Sequence, residues 1–315
     1  MIRIINQSRL DVEVYPFTWC NLACDFCELC DKRFEYKDKA LVNSFDKIKQ
    51  YVDQYKPKAL DVQFFGGEIF ADRIPDSIID QYYEFFDNLT NYLNDNNIKY
   101  RYALKSNFVH HRIDKLIDLA TKFNIVVSTS FDLGGRFTKD YQIKLWLDNV
   151  NKVNELHLLD NINVVMHDRN IKAILTGKGK YFNIFKQLYD QDLTFDFEMY
   201  NCIKENDDLQ PSIDNLIYFI KYLINYYPNT NIVKNYTKHF NRQHDSLEGR
   251  GVASIEIYGG DKVIIDDNDR KQSIKDKDCL SCRYFGDQCV IRYPSEYTDK
   301  AQCITKAVFD YLASK

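Results

Sequence analysis

A loop with three cysteines is the feature that most constrains how this chain can fold. Cys20, Cys24 and Cys27 are spaced Cys-x3-Cys-x2-Cys and follow an apolar, β-branched run that is typical of a strand. The spacing allows three thiolates to bind one iron–sulfur cube, whereas a closed electron-transfer cluster uses four cysteines. The loop therefore predicts a cluster with one iron open to a substrate or cofactor. A zinc site and reduced core thiols are the alternatives that the spacing leaves open.

An aromatic residue, Phe26, stands directly before the third cysteine. Together with the cysteine spacing, it resembles the signature of the radical SAM superfamily. The resemblance implies that S-adenosylmethionine (SAM) binds the open iron of a 4Fe-4S cluster and that Phe26 lies in the cofactor site. It also implies that SAM is cleaved reductively to a 5'-deoxyadenosyl radical, which abstracts hydrogen from a substrate. An external electron donor such as flavodoxin or ferredoxin is then required.

A second apolar run, residues 60–65, ends in Gly66, Gly67 and Glu68, which look like the motif that closes the second strand in this superfamily. Glycines at such a place let the backbone approach a ligand closely. Taken alone, the tripeptide indicates only a turn. Because it lies one strand and one helix after the cysteines, the resemblance implies that it holds the amine of SAM.

Two later strand ends also resemble SAM contacts. Ser106 and Asn107 end the third predicted strand and resemble the polar tip that contacts the SAM ribose, although Phe108 stands where a glycine is usual. Ser130 and Asp132 end the fourth predicted strand and are similar to a Ser-x-Asp-Gly ending found in one branch of the superfamily. A strand closed by an Asp-capped turn accounts for Asp132 equally well. The resemblance predicts all four residues as cofactor contacts.

Strand patterns alternate with amphipathic helices up to about residue 200, which indicates a parallel α/β sheet with helical crossovers. Six such units are predicted, and the clearest helix follows Pro75. The resemblance extends this pattern to a partial (β/α)6 barrel over residues 1–203. We predict a small α+β extension over residues 204–315, with a linker helix from about Ser212 and a β-hairpin around Gly259 and Gly260.

A second set of cysteines follows the predicted hairpin. It comprises Cys279, Cys282, Cys289 and Cys303. Four thiolates at these intervals can enclose a zinc ion or a fully ligated 4Fe-4S cluster, and the spacing does not separate the two. Next to a radical SAM core, the hairpin and its cysteines resemble a reduced SPASM extension. The resemblance implies a single auxiliary 4Fe-4S cluster with zinc as the alternative, because the hairpin itself carries no cysteine.

Two cysteines have no assigned role. Cys30 lies three residues after Cys27, so the set Cys24, Cys27 and Cys30 is an alternative register for the first cluster; Phe26 and the preceding strand favour the first register. Cys202 follows the sixth predicted strand and is either a reactive thiol or a small buried side chain. No catalytic acid, base or radical carrier can be named from the sequence.

Composition narrows the class of protein. The 315 residues carry a formal net charge of -4 with Lys and Arg dispersed, so no extended nucleic-acid surface is predicted. No apolar run reaches the length of a membrane span, and the first residues lack the apolar core of a signal peptide. Nine cysteines in clusters are typical of metal binding in a reducing compartment. We therefore expect a cytoplasmic, iron–sulfur protein that does not contact a membrane.

The predicted function is that of a radical SAM oxidoreductase, and the substrate is the open question. SPASM-type relatives most often modify peptides or proteins, which makes a peptide or protein the first expectation. A nucleotide, nucleoside or sugar derivative is the alternative. Since few residues precede the first strand, a leader-peptide-binding domain in the same chain is not expected. A third hypothesis is a noncatalytic metal-binding scaffold, against which the Gly66-Gly67-Glu68 motif argues.

Overall fold

The computed structural model describes residues 5–6, 8–27, 29, 34–200, 208–241, 250–251, 253–267 and 303–315. Three of the four predicted auxiliary-cluster ligands, Cys279, Cys282 and Cys289, lie outside the described residues, as do Cys30 and Cys202. The predicted domain boundary also falls in an undescribed stretch and stays a prediction.

The described strands are β1 (Ile5–Asn6), β2 (Arg9–Tyr15), β3 (Ala59–Phe64), β4 (Lys99–Lys105), β5 (Ile125–Ser130), β6 (Leu159–Met166), β7 (Phe195–Met199), β8 (Arg250–Gly251), β9 (Ala253–Tyr258) and β10 (Lys262–Asp267). Eight of them form a sheet at the centre of the molecule, with strand order β10-β9-β2-β3-β4-β5-β6-β7. A short parallel pair, β1 and β8, forms a separate two-stranded sheet.

Helices connect the strands and cover one side of the sheet. The helices are α1 (Ala40–Tyr55), α2 (Asp76–Asp95), α3 (Ile113–Phe123), α4 (Asp140–Glu155), α5 (Asp168–Thr176), α6 (Lys180–Asp190), α7 (Ile213–Tyr226), α8 (Asn231–Phe240) and α9 (Ile304–Ala313). Within the described part of the chain, no helix combines the length and apolar character needed to cross a bilayer.

The strand order explains why the helices share one side. Strands β2 to β7 are parallel and adjacent in sequence order. Because parallel crossovers are right-handed, a sheet wound in one direction carries its helices on one face and curls its other face inward, as in a barrel. The predicted α/β partial barrel is therefore confirmed.

The two faces of the sheet differ in chemistry. On β2, Leu10, Val12 and Val14 are fully buried against the helices, whereas the alternate residues are only partly buried and include Asp11 and Glu13. The same alternation recurs along β9. The main apolar core thus lies between sheet and helices, and the concave face is polar.

The predicted hairpin, β9 and β10, is confirmed, but its place in the sheet was not predicted. Strand β9 pairs in parallel with β2, with Glu13 opposite Glu256 and Tyr15 opposite Tyr258. Strand β10 then pairs antiparallel with β9 at the edge of the sheet. The hairpin therefore extends the barrel wall beside its first strand.

Candidate active site

A cavity of about 640 Å³ opens at the carboxyl ends of the parallel strands. This volume lies within the roughly 300–1,000 Å³ of small-molecule sites. Its wall includes Cys20, Cys24 and Cys27, together with side chains from β2, β4, β6, β7 and β9. The loop after β2 therefore places all three predicted cluster ligands on one cavity.

The cysteine loop is held by its own backbone and by the next strands. The Cys27 N–H donates to the Cys24 carbonyl at 3.3 Å. Cys20 Sγ accepts from the Leu22 N–H at 3.4 Å and from Asn107 Nδ2 at 3.5 Å. Burial raises the pKa of the Cys20 thiol to about 11. Because only a thiolate binds metal, metal binding at this loop must release protons.

Backbone contacts join the loop to Gly66 and Gly67. The Gly67 N–H donates to Phe17 O at 3.3 Å, and the Glu68 N–H donates to Trp19 O at 2.9 Å. A Cβ on Gly66 would lie 2.2 Å from Phe17 O, and one on Gly67 would lie 1.8 Å from Trp19 O. Only glycine permits this approach, which fixes the segment that enters the cysteine loop.

Glu68 lies behind the cavity wall, and its fully buried carboxylate joins two segments, the loop after β3 and the loop after β4. Its Oε1 accepts from the Phe70 N–H at 3.0 Å and from Ser106 Oγ at 2.9 Å. Its Oε2 accepts from the Asn107 N–H. Ser106 Oγ also contacts His110 Nε2 at 3.0 Å, and burial lowers the pKa of that histidine. Glu68 thereby positions Ser106 and Asn107, which do line the cavity.

The loop after β4 keeps the turn that a glycine would give. Phe108 has a φ of 57°, in the left-handed region that side chains rarely adopt. Its ring is fully buried, and its carbonyl accepts from Asn149 Nδ2 at 2.8 Å. Packing and this hydrogen bond therefore hold a conformation that costs on the order of 1–3 kcal/mol.

Asp132 closes the turn after β5. Its Oδ1 accepts from the N–H groups of Gly134 at 2.9 Å, Gly135 and Arg136 at 3.1 Å. Its Oδ2 accepts from His167 Nε2 at 2.8 Å, because His167 Nδ1 is already the acceptor for the Asn170 N–H. Burial favours a higher pKa for Asp132, but these hydrogen bonds outweigh it and hold the pKa below its usual range.

The same histidine supports the aromatic residue of the cysteine signature. The Phe26 ring lies 5.1 Å from the His167 ring, and both side chains are buried. The Asp132 carboxylate thus orients His167, and His167 packs against Phe26, which directly precedes Cys27.

The structure brings most of the predicted cofactor contacts together. Six of them line the cavity with the three cysteines: Phe26, Gly66, Gly67, Ser106, Asn107 and Ser130. Glu68 and Asp132 are buried behind that wall. Cys303 is exposed at the N-cap of α9, where it faces a second depression with Asp214 and Lys221 of α7.

Several cavity residues carry no sequence motif. Lys105 on β4 donates to Glu198 Oε1 on β7 at 3.1 Å, and Asn163 Nδ2 on β6 donates to the same oxygen at 2.7 Å. Glu13 and Glu256 form an acidic part of the wall on β2 and β9. The sequence offers one indication of this pair of glutamates, because Glu-x-Tyr occurs in both β2 and β9.

The structure is similar to solved radical SAM enzymes. It matches anSMEcpe with bound AdoMet, an anaerobic sulfatase-maturating enzyme, with a TM-score of 0.59 and 15% identity over 80% of this chain and 72% of that one. It matches Streptococcus suis SuiB bound to precursor peptide SuiA with a TM-score of 0.50 and 17% identity over 82% of this chain and 59% of that one.

A further anSMEcpe structure, with AdoMet and the Cp18Cys peptide, gives a TM-score of 0.51 at 15% identity over 77% of this chain and 63% of that one. No family model matches this chain, and no curated protein matches it in sequence. The structural similarity shows that the chain has the radical SAM fold. The chain spans less than two thirds of the length of SuiB.

Proposed function

We propose that this protein is a radical SAM enzyme in which Cys20, Cys24 and Cys27 hold a 4Fe-4S cluster. The observation that carries the proposal is that these thiols share one cavity with the Gly66-Gly67 edge, in a fold whose solved examples include AdoMet complexes. Thiolates are the usual ligands of iron–sulfur clusters. When bound, an open-iron cluster supplies the electron that cleaves SAM to methionine and a 5'-deoxyadenosyl radical.

The residues of the chain fit such a cofactor. Three thiols line the same cavity. Among the described residues, no three His, Cys, Asp or Glu side chains are grouped around a single metal ion, but in a 4Fe-4S cluster each thiolate would bind a different iron. Beside them, Gly66 and Gly67 line the cavity, as do the polar residues Ser106 and Asn107, and these would contact the amine and ribose of SAM. Glu68 and Asp132 contribute by holding those contacts in place.

We infer that the substrate is a peptide or a protein, and that the electron comes from an external donor such as flavodoxin or ferredoxin. The peptide assignment is supported by two similar structures, which contain the Cp18Cys peptide and the precursor peptide SuiA. A nucleotide, nucleoside or sugar derivative is the alternative, because the cavity has the size of a small-molecule site.

We also propose that Cys303, with Cys279, Cys282 and Cys289, holds one auxiliary 4Fe-4S cluster. Cys303 is exposed and separate from the first cysteine loop, which is consistent with a second centre. Iron and zinc analysis decides between this cluster and zinc. Two clusters require about eight irons per chain, and Cys24→Ala should remove about half of them; four irons with one zinc would replace the auxiliary cluster by a zinc site.

The test of the main proposal is anaerobic incubation of the reconstituted, reduced protein with SAM, followed by chromatography for 5'-deoxyadenosine. Product is expected from the wild type and from Cys30→Ala, and none is expected from Cys24→Ala. If Cys30→Ala yields no product while Cys20→Ala remains active, the cluster ligands are those of the alternative register, Cys24, Cys27 and Cys30. A wild type that holds four-iron clusters but neither binds nor cleaves SAM would support the scaffold hypothesis.

A further inference from the structure

Two adjacent strands present the same pair of side chains to the cavity. Strand β2 carries Glu13 and Tyr15, and β9 carries Glu256 and Tyr258. The parallel register sets glutamate beside glutamate and tyrosine beside tyrosine. Residues two apart in a strand share a face, and all four residues line the cavity. We call this group the Glu–Tyr wall.

Each tyrosine orients the glutamate of its own strand. Tyr15 OH donates to Glu13 Oε2 at 2.8 Å, and Tyr258 OH donates to Glu256 Oε2 at 2.8 Å. The two rings stack with centroids 4.4 Å apart and planes 9° apart. Burial and the neighbouring carboxylates raise the pKa of both phenols far above the ordinary value, so both remain donors. The Oε1 oxygen of each carboxylate has no hydrogen-bond partner among the described residues.

Among the described residues, neither carboxylate of the Glu–Tyr wall has an ion-pair partner. Like charges on directly neighbouring strands repel each other, so the arrangement costs stability unless a cation joins it. The charge of Lys105 acts on Glu13, but the Lys105 ammonium is paired with Glu198 at 3.1 Å. Burial also raises the pKa of Glu13, which reflects the cost of its unpaired charge.

A buried acceptor on the same cavity also lacks a donor. Asn163 is 4% exposed, and its Nδ2 donates to Glu198. Its Oδ1 has no hydrogen-bond partner among the described residues. An unsatisfied buried acceptor is costly, so a bound group with a donor that reaches this atom would stabilise the site.

The cavity is polarised. Arg136 lines the cavity near the cysteines, since its positive charge acts on Cys20. The Glu–Tyr wall of the same cavity carries two carboxylates. Carboxylates paired with hydrogen-bonding neighbours bind ammonium and guanidinium groups through charge-assisted bonds. The aromatic rings beside them can pack against the alkyl stem of such a group.

We propose that the Glu–Tyr wall binds a primary ammonium or guanidinium group of the substrate, with Glu13 and Glu256 as its ligands. In a peptide this group is a lysine- or arginine-type side chain. The identification of this group as part of the substrate rests on the proposed function. The binding of a cation to the Glu–Tyr wall does not.

The experiment is isothermal titration calorimetry on the anaerobically reconstituted full chain. The probes are N-acetyl-lysine methylamide and N-acetyl-arginine methylamide, with N-acetyl-norleucine methylamide as the neutral counterpart of lysine. Titrations run with and without saturating SAM, because SAM carries a sulfonium and an ammonium of its own. The wild type should bind at least one cationic probe about tenfold more tightly than the neutral probe.

The Glu13→Gln/Glu256→Gln variant keeps acceptors for both tyrosines and should reduce this preference to about twofold or less. The matched control is Glu155→Gln, which removes one charge from an exposed residue at the end of α4 and should leave the preference unchanged. Thermal midpoints of all variants verify folding, and Glu13→Gln alone serves if the double variant does not fold.

Three results would overturn the proposal: a wild type that does not prefer a cation, a preference that survives in the glutamine variants, and displacement of the probe by SAM. Because calorimetry needs no turnover, absence of 5'-deoxyadenosine would reject the proposed function without affecting this result. A cation preference in a protein that does not cleave SAM would define a cation-binding site in a different kind of protein.

Discussion

Replacing Glu68 by glutamine tests the buried network behind the cysteine loop. Both carboxylate oxygens accept from backbone N–H groups, Oε1 from Phe70 and Oε2 from Asn107. An amide has one oxygen and one NH2 group, so either orientation of the introduced side chain sets a donor against a backbone donor. The shape is kept, and only the hydrogen-bond chemistry changes.

The magnitude follows from the bonds involved. A hydrogen bond to a charged acceptor contributes about 1.5–3 kcal/mol, and an unsatisfied buried donor costs about 1–3 kcal/mol. We expect Glu68→Gln to lower the free energy of unfolding by about 3 kcal/mol, because one such bond is lost and one backbone N–H is orphaned. In a chain of 315 residues, that corresponds to a fall in Tm of about 4–5 °C.

Differential scanning calorimetry of anaerobically prepared protein measures this change, with Glu155→Gln as the control that should stay within about 0.5 kcal/mol of wild type. Equilibrium SAM binding is the second readout, because Ser106 and Asn107 depend on Glu68 for their position. A Tm within about 1–2 °C of wild type, with SAM affinity unchanged, would refute the reasoning that the loops after β3 and β4 are joined through the Glu68 carboxylate.

Three further predictions concern single residues. Gly67→Ala would place a Cβ 1.8 Å from Trp19 O; it should displace the cysteine loop and lower the iron content measured after reconstitution. Phe108→Gly relieves about 1 kcal/mol of left-handed strain but removes a fully buried ring, so urea unfolding should show a net loss of about 3 kcal/mol. Burial, followed by the charge of Glu198, raises the pKa of Asp196 to about 6; the folded chain then retains a proton that the unfolded chain releases, and stability falls as pH rises from about 4 to about 6. Asp196→Asn should therefore gain about 3 kcal/mol in urea unfolding at about pH 8 and little at about pH 4; an equal gain at both would contradict the assignment.

Local patterns were sufficient to predict the barrel strands and most of their helices. Alternating or continuous apolar runs marked β2 to β7, and the helix predicted after Pro75 is α2, for which Pro75 is the N-cap. Helices α8 and α9 were not predicted. Each has only ten residues, and in so short a segment the spacing of apolar residues does not distinguish a helix from a strand. The pairing of β9 with β2 was also not predicted, because parallel pairing between distant segments leaves no local signal.

The candidate site was predictable where a residue type is required by chemistry or backbone space. The three cysteines and Gly66-Gly67 are of this kind. The direction of a side chain was not predictable: Glu68 turns behind the wall because donors from residues 70, 106 and 107 converge there. Glu13 and Glu256 were missed because each alone is an ordinary half-buried strand residue, and only their pairing makes a wall.

The parallel pairing of β9 with β2 has a consequence for biosynthesis. The cysteine loop and the Gly66-Gly67 segment that contacts it are translated within the first 70 residues. The six adjacent parallel strands β2 to β7 are complete before residue 200. Until residues 253–258 leave the ribosome, β2 is an unpaired edge, which can recruit a strand from another nascent chain. The acidic wall of the cavity is therefore assembled last, and a ribosome that stalls before β9 would release a chain with a complete cysteine loop and no Glu–Tyr wall.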